Sequence, residues 1–176
     1  MWLSHISIKE KIFLKQSEII AKKIFTLAEL LPRIAQWKFL GKEIVFTNGI
    51  FDILHPGHIF SLSRAAKEAD YLIIGVNSDD SVKRLKGNDK PINNQETRTL
   101  ILASLLMVDA VIVFEEDTPL ELIRAVKPDV LVKGGDYTME QIAGAKEVIA
   151  YGGRVVINPI IEGYSTTSLV KKLKNT

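Results

Sequence analysis

From Glu43 onward the chain alternates short runs rich in Val and Ile with longer segments of helical pattern. The apolar runs fall near 44–48, 71–76, 110–114, 129–132 and 154–158. They lack a clean polar alternation, as strands covered on both faces do. The helical segments fall near 58–69, 79–85, 95–107, 118–126, 139–151 and 165–173. Such alternation predicts a parallel sheet with helices on both sides. Pro128 before the fourth run and Gly152-Gly153 before the fifth are the expected punctuation.

Residues 1–42 differ. The stretch Lys9 to Ile24 sets Ile12, Phe13, Ile19 and Ile20 among lysines, in a helical pattern. A second helix, Thr26 to Leu40, opens on Thr26 with Glu29 three residues on, a capping box. Gly41 ends it, and Pro32 inside it predicts a kink or a split. About 40 residues rarely fold alone, so residues 1–42 read as an extension packed on the sheet or on a partner subunit. The expectation is an α/β fold: a Rossmann-like parallel sheet of about five strands in residues 43–176, behind an N-terminal helical extension. The apolar residues of the extension should pack on the core or across a dimer, and a homodimer is the expected assembly.

Bulk properties narrow the function classes. The 176 residues suffice for one compact domain, and 47% hydrophobic with 25% charged residues is ordinary for a globular chain. A net charge of +2, with the basic residues spread along the chain, gives no electrostatic case for nucleic acid or an anionic membrane. The absence of cysteine excludes disulfides, thiolate metal sites and a cysteine nucleophile, and fits a cytoplasmic setting. No apolar run is long enough to span a bilayer, and Met1 to Ile8 lacks a secretory pattern.

The candidate chemistry sits at the first strand-to-helix junction, Thr47-Asn48-Gly49-Ile50-Phe51-Asp52-Ile53-Leu54-His55-Pro56-Gly57-His58. Open α/β sheets bind ligands at such junctions, and the helix N-terminus favours an anion. Gly57 permits close approach of a phosphate and Pro56 fixes the turn. Two imidazoles at that point, His55 and His58, suit phosphate chemistry.

The His-x-Gly-His spacing, with Gly75-Val76-Asn77-Ser78-Asp79, Arg84-Leu85-Lys86-Gly87, Val132-Lys133-Gly134-Gly135-Asp136-Tyr137 and Ser165-Thr166-Thr167-Ser168, resembles the cytidylyltransferase-like nucleotidyltransferases. The Lys-Gly-Gly-Asp-Tyr block resembles the heptose 1-phosphate adenylyltransferase branch. The resemblance implies transfer of AMP from ATP to D-glycero-β-D-manno-heptose 1-phosphate, with Mg²⁺, giving ADP-heptose for lipopolysaccharide core assembly. It implies that His55, His58 and Lys86 are catalytic. It implies nucleotide or phosphate contacts by Thr47, Asn48, Gly49, Phe51, Asp52, Gly57, Asn77, Asp79, Arg98, Lys133, Gly134, Gly135, Asp136, Tyr137, Ser165, Thr166 and Thr167. No residues are expected to form a dedicated metal cage.

Several of these residues have a second reading. Asp52 either orients His55, acts near the metal or caps a turn. Asp79 reads as a helix N-cap as well as a ligand contact. Arg98 braces the site or pairs with an acid. Lys90 stands where relatives commonly carry arginine, keeping the charge without the bidentate fork. Ile50 replaces a usual cysteine, and Ile160-Ile161 replace an arginine found in some cytidylyltransferases. The alternatives are a cytidylyltransferase acting on glycerol 3-phosphate and a non-catalytic nucleotide-binding regulator. In some members the domain follows a sugar kinase. The 42 residues here are too few for one, so a separate upstream kinase is expected.

Overall fold

The computed structural model describes residues 18–135 and 137–159. The elements run β1 (Ile24–Phe25), α1 (Leu27–Phe39), β2 (Ile44–Gly49), α2 (Pro56–Ala65), β3 (Tyr71–Asn77), α3 (Asp79–Lys86) and α4 (Gln95–Ala103). They continue with β4 (Ala110–Phe114), α5 (Leu120–Val126), β5 (Val130–Gly134), a 3₁₀ turn (Met139–Gln141), α6 (Ala145–Ala150) and β6 (Arg154–Asn158). The strands form a single sheet in the order β1-β4-β3-β2-β5-β6. Every pairing is parallel, with Phe46 beside Ile73 on one side and Leu131 on the other. The fold is the Rossmann-like α/β sheet that the alternation predicts.

Helices cover both faces. Leu30, Ile34 and Trp37 of α1 join Leu122, Ile123 and Val126 of α5 and Val148 of α6 in one core. Leu62 and Ala65 of α2 and Leu102 and Ala103 of α4 build the other. Strand residues alternate between the two, Phe46 and Ile73 facing the first, Val45 and Ile74 the second. Apolar burial on both faces is why these strands read as continuous apolar runs.

Three aspartates set the amino edge. Asp70, Asp109 and Asp129 each stand just before a strand, and their carboxylates accept the backbone N–H of Glu43, Leu72 and Ile44 at 3.0, 2.8 and 2.8 Å. Each satisfies a donor at the end of a neighbouring strand, which fixes where pairing begins.

The sheet has six strands rather than five. The extra one, Ile24–Phe25, falls where the sequence reads as the end of a helix. It pairs with Val111 and Ile112 of β4, and its two side chains pack to opposite cores. A two-residue strand is too short to show a period. The stretch read as one helix over 139–151 is split between the 3₁₀ turn and α6, because Gly144 takes φ +86° between them. Pro32 does not divide α1, which runs unbroken from Leu27 to Phe39. The pattern near 165–173, Ile12 and Phe13 lie outside the described residues. Ile20 packs against the second core, whereas Ile19 is exposed.

The capping box is formed as expected: Thr26 Oγ1 accepts the Glu29 N–H, and the Glu29 carboxylate accepts the Thr26 N–H at 2.9 Å. Thr26→Ala is expected to lower stability by about 1 kcal/mol, read as a lower urea midpoint at unchanged slope. An unchanged midpoint would show that α1 is held by packing alone.

Candidate active site

β2 is the strand from which the chain departs in both directions, since β3 lies on one side of it and β5 on the other. A ligand crevice is expected beyond the carboxyl ends of strands at such a switch point. A cavity of about 810 Å³ opens there. Its wall includes Asn48, Gly49, Phe51 and Asp52 after β2, His58 of α2, Asn77 of β3, Lys86 and Lys90 around the end of α3, and Lys133 and Tyr137 after β5.

The histidine turn is built on two backbone features. Phe51 adopts φ +51°, a conformation rare without glycine, and its ring lies so close to Gly49 that a Cβ there would come within 2.9 Å. Phe51 then meets the His58 ring edge-on, with centroids 5.4 Å apart. Pro56 is the first helical residue and His55 precedes it in extended conformation, with no side-chain capping bond. The His55 and His58 rings stack at 3.8 Å. Neither histidine is therefore spent as a helix cap.

The Nδ1 atoms of both rings are buried without a hydrogen-bond partner among the described residues. Burial, with His55 alongside, pushes the His58 imidazole down to about 4, and burial also lowers His55. Both rings are neutral at pH 7, so each offers one N–H and brings no charge of its own. The folded state resists protonating His58 between about 4 and the ordinary 6.5. In that window the unfolded chain binds more protons, so stability rises with pH through it and is lost as pH falls. Urea midpoints are expected to decline below pH 6.5, and less steeply in His58→Gln. Parallel profiles for the two proteins would rule out His58 as the source.

Asp52 neither orients His55 nor stays free for a metal. Its carboxylate accepts the backbone N–H groups of Ile92 and Asn93 at 2.9 and 2.8 Å, and its carbonyl accepts Asn93 Nδ2 at 2.6 Å. It latches the 87–94 loop, which brings Lys90 to the cavity, onto the histidine turn.

Arg98, unlike Asp52, is not at the cavity wall. Its side chain is fully buried and donates to the carbonyls of Asn93, Ile50 and Asn77 at 3.1, 2.6 and 2.8 Å, and to Asp79 Oδ1 at 2.7 Å. Both readings of Arg98 hold at once: it pairs with an acid and braces the turn. Four of its five N–H groups are thus taken by protein. Asp79 is held by the same pair, and the N-cap of α3 is Ser78, whose Oγ accepts the Ser81 N–H at 3.1 Å.

Lys133 is largely buried, which lowers its pKa; its Nζ donates to Asn48 Oδ1 at 3.2 Å and lies 5.6 Å from the Tyr137 ring centre. Gly135, at φ +125°, makes the turn that returns Tyr137 over it. Gly134 packs against α2, where a Cβ would sit 3.1 Å from Ser61 Oγ. Thr47 is buried within β2, and Gly57 is the second residue of α2. Asp136, Ser165, Thr166 and Thr167 lie outside the described residues.

Sequence reading missed Asp117, Thr118 and Pro119 after β4, and Gln141 at the end of the 3₁₀ turn with Ile142 and Ala143 beyond it, all on the cavity wall. Their only signal is position, just beyond the carboxyl ends of two strands.

A model of the cytidylyltransferase-like family matches residues 46–172. The chain belongs to the cytidylyltransferase-like family. Its curated relatives include the bifunctional protein HldE of Koribacter versatilis (strain Ellin345), 51% identical over 85% of this chain, and that of Haemophilus influenzae (strain PittEE), 56% identical over 86%. The matches span only 31% and 32% of those two proteins. Among solved structures, the lipopolysaccharide core biosynthesis protein from Thermoplasma volcanium GSS1 superposes with a TM-score of 0.56 at 31% identity. That match covers 71% of this chain and all of the other. The family resemblance read from the His-x-Gly-His and Lys-Gly-Gly-Asp-Tyr blocks is thus borne out, and the cytidylyltransferase-like fold accounts for the sheet and its switch-point cavity.

Proposed function

We propose that this chain is an adenylyltransferase that moves AMP from ATP to D-glycero-β-D-manno-heptose 1-phosphate, giving ADP-heptose and pyrophosphate for lipopolysaccharide core synthesis. The observation that carries this reading is the stacked, neutral His55–His58 pair beside a cavity that also holds Lys86, Lys90 and Lys133. The HldE similarity and the Lys133–Tyr137 block support the heptose acceptor over glycerol 3-phosphate.

An acceptor phosphate is already a nucleophile, so no strong base is required. Its oxygen bonds to the α-phosphorus of ATP as the bond to the bridging oxygen breaks and pyrophosphate leaves. The difficulty is bringing two anions together and stabilising the charge that grows at the α-phosphate. His55 and His58 donate hydrogen bonds there, and Lys86, Lys90 and Lys133 neutralise phosphate charge. Asn48, Gly49, Phe51 and Asn77 cradle the nucleotide, with Tyr137 closing over Lys133. Thr47, Gly57, Gly134 and Gly135 shape the backbone around it, while Asp52, Asp79 and Arg98 hold the turn that presents the histidines. Asp136, Ser165, Thr166 and Thr167 complete the nucleotide contacts.

Among the described residues no group of three acidic, histidine or cysteine side chains forms a metal cage. This donor set fits Mg²⁺ that would be carried mainly by the triphosphate, with Asp89 as one carboxylate on the cavity wall. When bound, the ion supplies further neutralisation of the triphosphate. Residues 43–176 form the transferase unit and residues 1–42 the extension. The protein works in the cytoplasm as a homodimer, on sugar phosphate made by an upstream kinase, without nucleic acid or membrane. No helix among the described residues is long and apolar enough to cross a membrane.

The test is pyrophosphate release with Mg²⁺, offering ATP or CTP against heptose 1-phosphate or glycerol 3-phosphate. Release with ATP and heptose 1-phosphate is expected. Release only with CTP and glycerol 3-phosphate would overturn the substrate assignment. Silence with every pair, alongside measurable ATP binding, would favour a regulator.

A further inference from the structure

The cavity has two chemically different sides. One is cationic, with His58, Lys86, Lys90 and Lys133. The other is built from the β4–α5 loop and the segment from Gln141, the last residue of the 3₁₀ turn, to Ala143. These two segments meet because Ile123 of α5 packs on Gly144, where a Cβ would come within 2.6 Å. Helix α5 lies on the opposite face of the sheet from the histidine helix α2. The polar groups this side presents are Asp117, Thr118 and Gln141.

Their hydrogen-bonding state is specific. Arg84 Nε donates to Asp117 Oδ1 at 2.7 Å and Arg84 also donates to the Glu115 carbonyl, so the carboxylate is fixed by one oxygen. Oδ2 keeps its capacity to accept. Gln141 Oε1 accepts the Thr138 N–H at 2.9 Å, which turns the amide so that its two N–H groups remain for a ligand. A braced carboxylate repels phosphate, but with an amide donor and a hydroxyl it matches a polyhydroxylated ligand. At about 810 Å³ the cavity lies in the upper part of the range for small-molecule sites, roughly 300–1,000 Å³, leaving room for a second ligand beside a nucleotide.

We propose that Asp117, Thr118 and Gln141 form the subsite that binds the hydroxyls of the acceptor sugar and so determine which sugar phosphate is used. This rests on the transferase reading above. Asp117 accepts from sugar hydroxyls, Gln141 donates to them, and the phosphate points to the lysines. A polyol acceptor therefore binds by its two ends.

The experiment is steady-state kinetics of the full chain and of Asp117→Asn, Thr118→Val and Gln141→Leu, varying ATP and heptose 1-phosphate separately. All three side chains are exposed, so the variants are expected to fold, which a thermal melt checks. Asp117→Asn is expected to raise the acceptor KM roughly 10–100-fold, the range for a lost bond to a charged group, and Gln141→Leu less. The KM for ATP should stay within about twofold. A rise in the ATP KM instead would assign these residues to the ribose and overturn the proposal, as would no change in either. If the wild type is silent with heptose 1-phosphate, the adenylyltransferase reading fails separately. The same variants are then titrated calorimetrically with mannose 1-phosphate and glycerol 3-phosphate. Weaker binding of the hexose phosphate by Asp117→Asn would sustain the subsite; equal binding, or none by wild type, would overturn it.

Discussion

Replacing His58 with alanine is expected to lower the rate of pyrophosphate release roughly 10²–10³-fold while leaving ATP affinity within a few-fold. The ring is neutral, so in the ground state it contributes one hydrogen bond and no charge to a bound triphosphate. As charge builds at the α-phosphate that bond strengthens, and only such an increase accelerates the reaction. Alanine leaves no protein group stranded, because the buried Nδ1 of His58 has no partner to lose among the described residues. It removes the stack with His55, a modest packing loss at a site that already opens to a cavity. Single-turnover rates with saturating ATP and acceptor would measure the effect. A variant of near-normal rate but much weaker ATP binding would make His58 a binding residue only.

Arg98→Met is expected to destabilise the fold by about 3–5 kcal/mol, the scale for breaking a buried charged pair from one side. Methionine fills much of the space but strands the carbonyls of Ile50, Asn77 and Asn93 and the Asp79 carboxylate. Asp79 can turn to solvent, since about a quarter of its side chain is exposed, but Asn77 is buried. Arg98→Lys should recover only part of the loss, because an ammonium lacks the planar fork that reaches four acceptors. Urea unfolding measures the stability term. In the folded fraction the ATP KM should also rise, because Ile50 and Asn93 lie either side of the Asp52 latch. A midpoint close to wild type would show that these bonds add little to what packing already fixes.

The sequence was most legible where a residue's chemistry and its local spacing coincide. The capping box at Thr26 and Glu29 needs only three intervening bonds of helix and formed as read. The strand-to-helix turn at Pro56 and the placing of His55 and His58 beyond β2 are equally local. Asp52, Asp79 and Arg98 were singled out from family motifs as ligand contacts, yet they also bond one another or one another's neighbours across separations of 19 to 48 residues. No window along the chain contains such a pairing. Asp117 and Gln141 had no motif at all, and became visible only when the sheet brought their loops to one cavity.

The amino-acid order by itself thus determined the class of fold, since Val- and Ile-rich runs alternating with helices can be buried on both faces only in a parallel sheet with covered sides. It also determined the family, and the placing of two imidazoles at a helix start. Tertiary structure alone decided that β2 is the switch point, that Ile24–Phe25 adds a sixth strand, and that both imidazoles stack neutral. It also decided which charged residues face ligand and which face protein. The reason is physical: helix caps and strand periods are set by neighbours within a few residues. Strand order, burial and the partners of a charge are set by which distant segments share the least water.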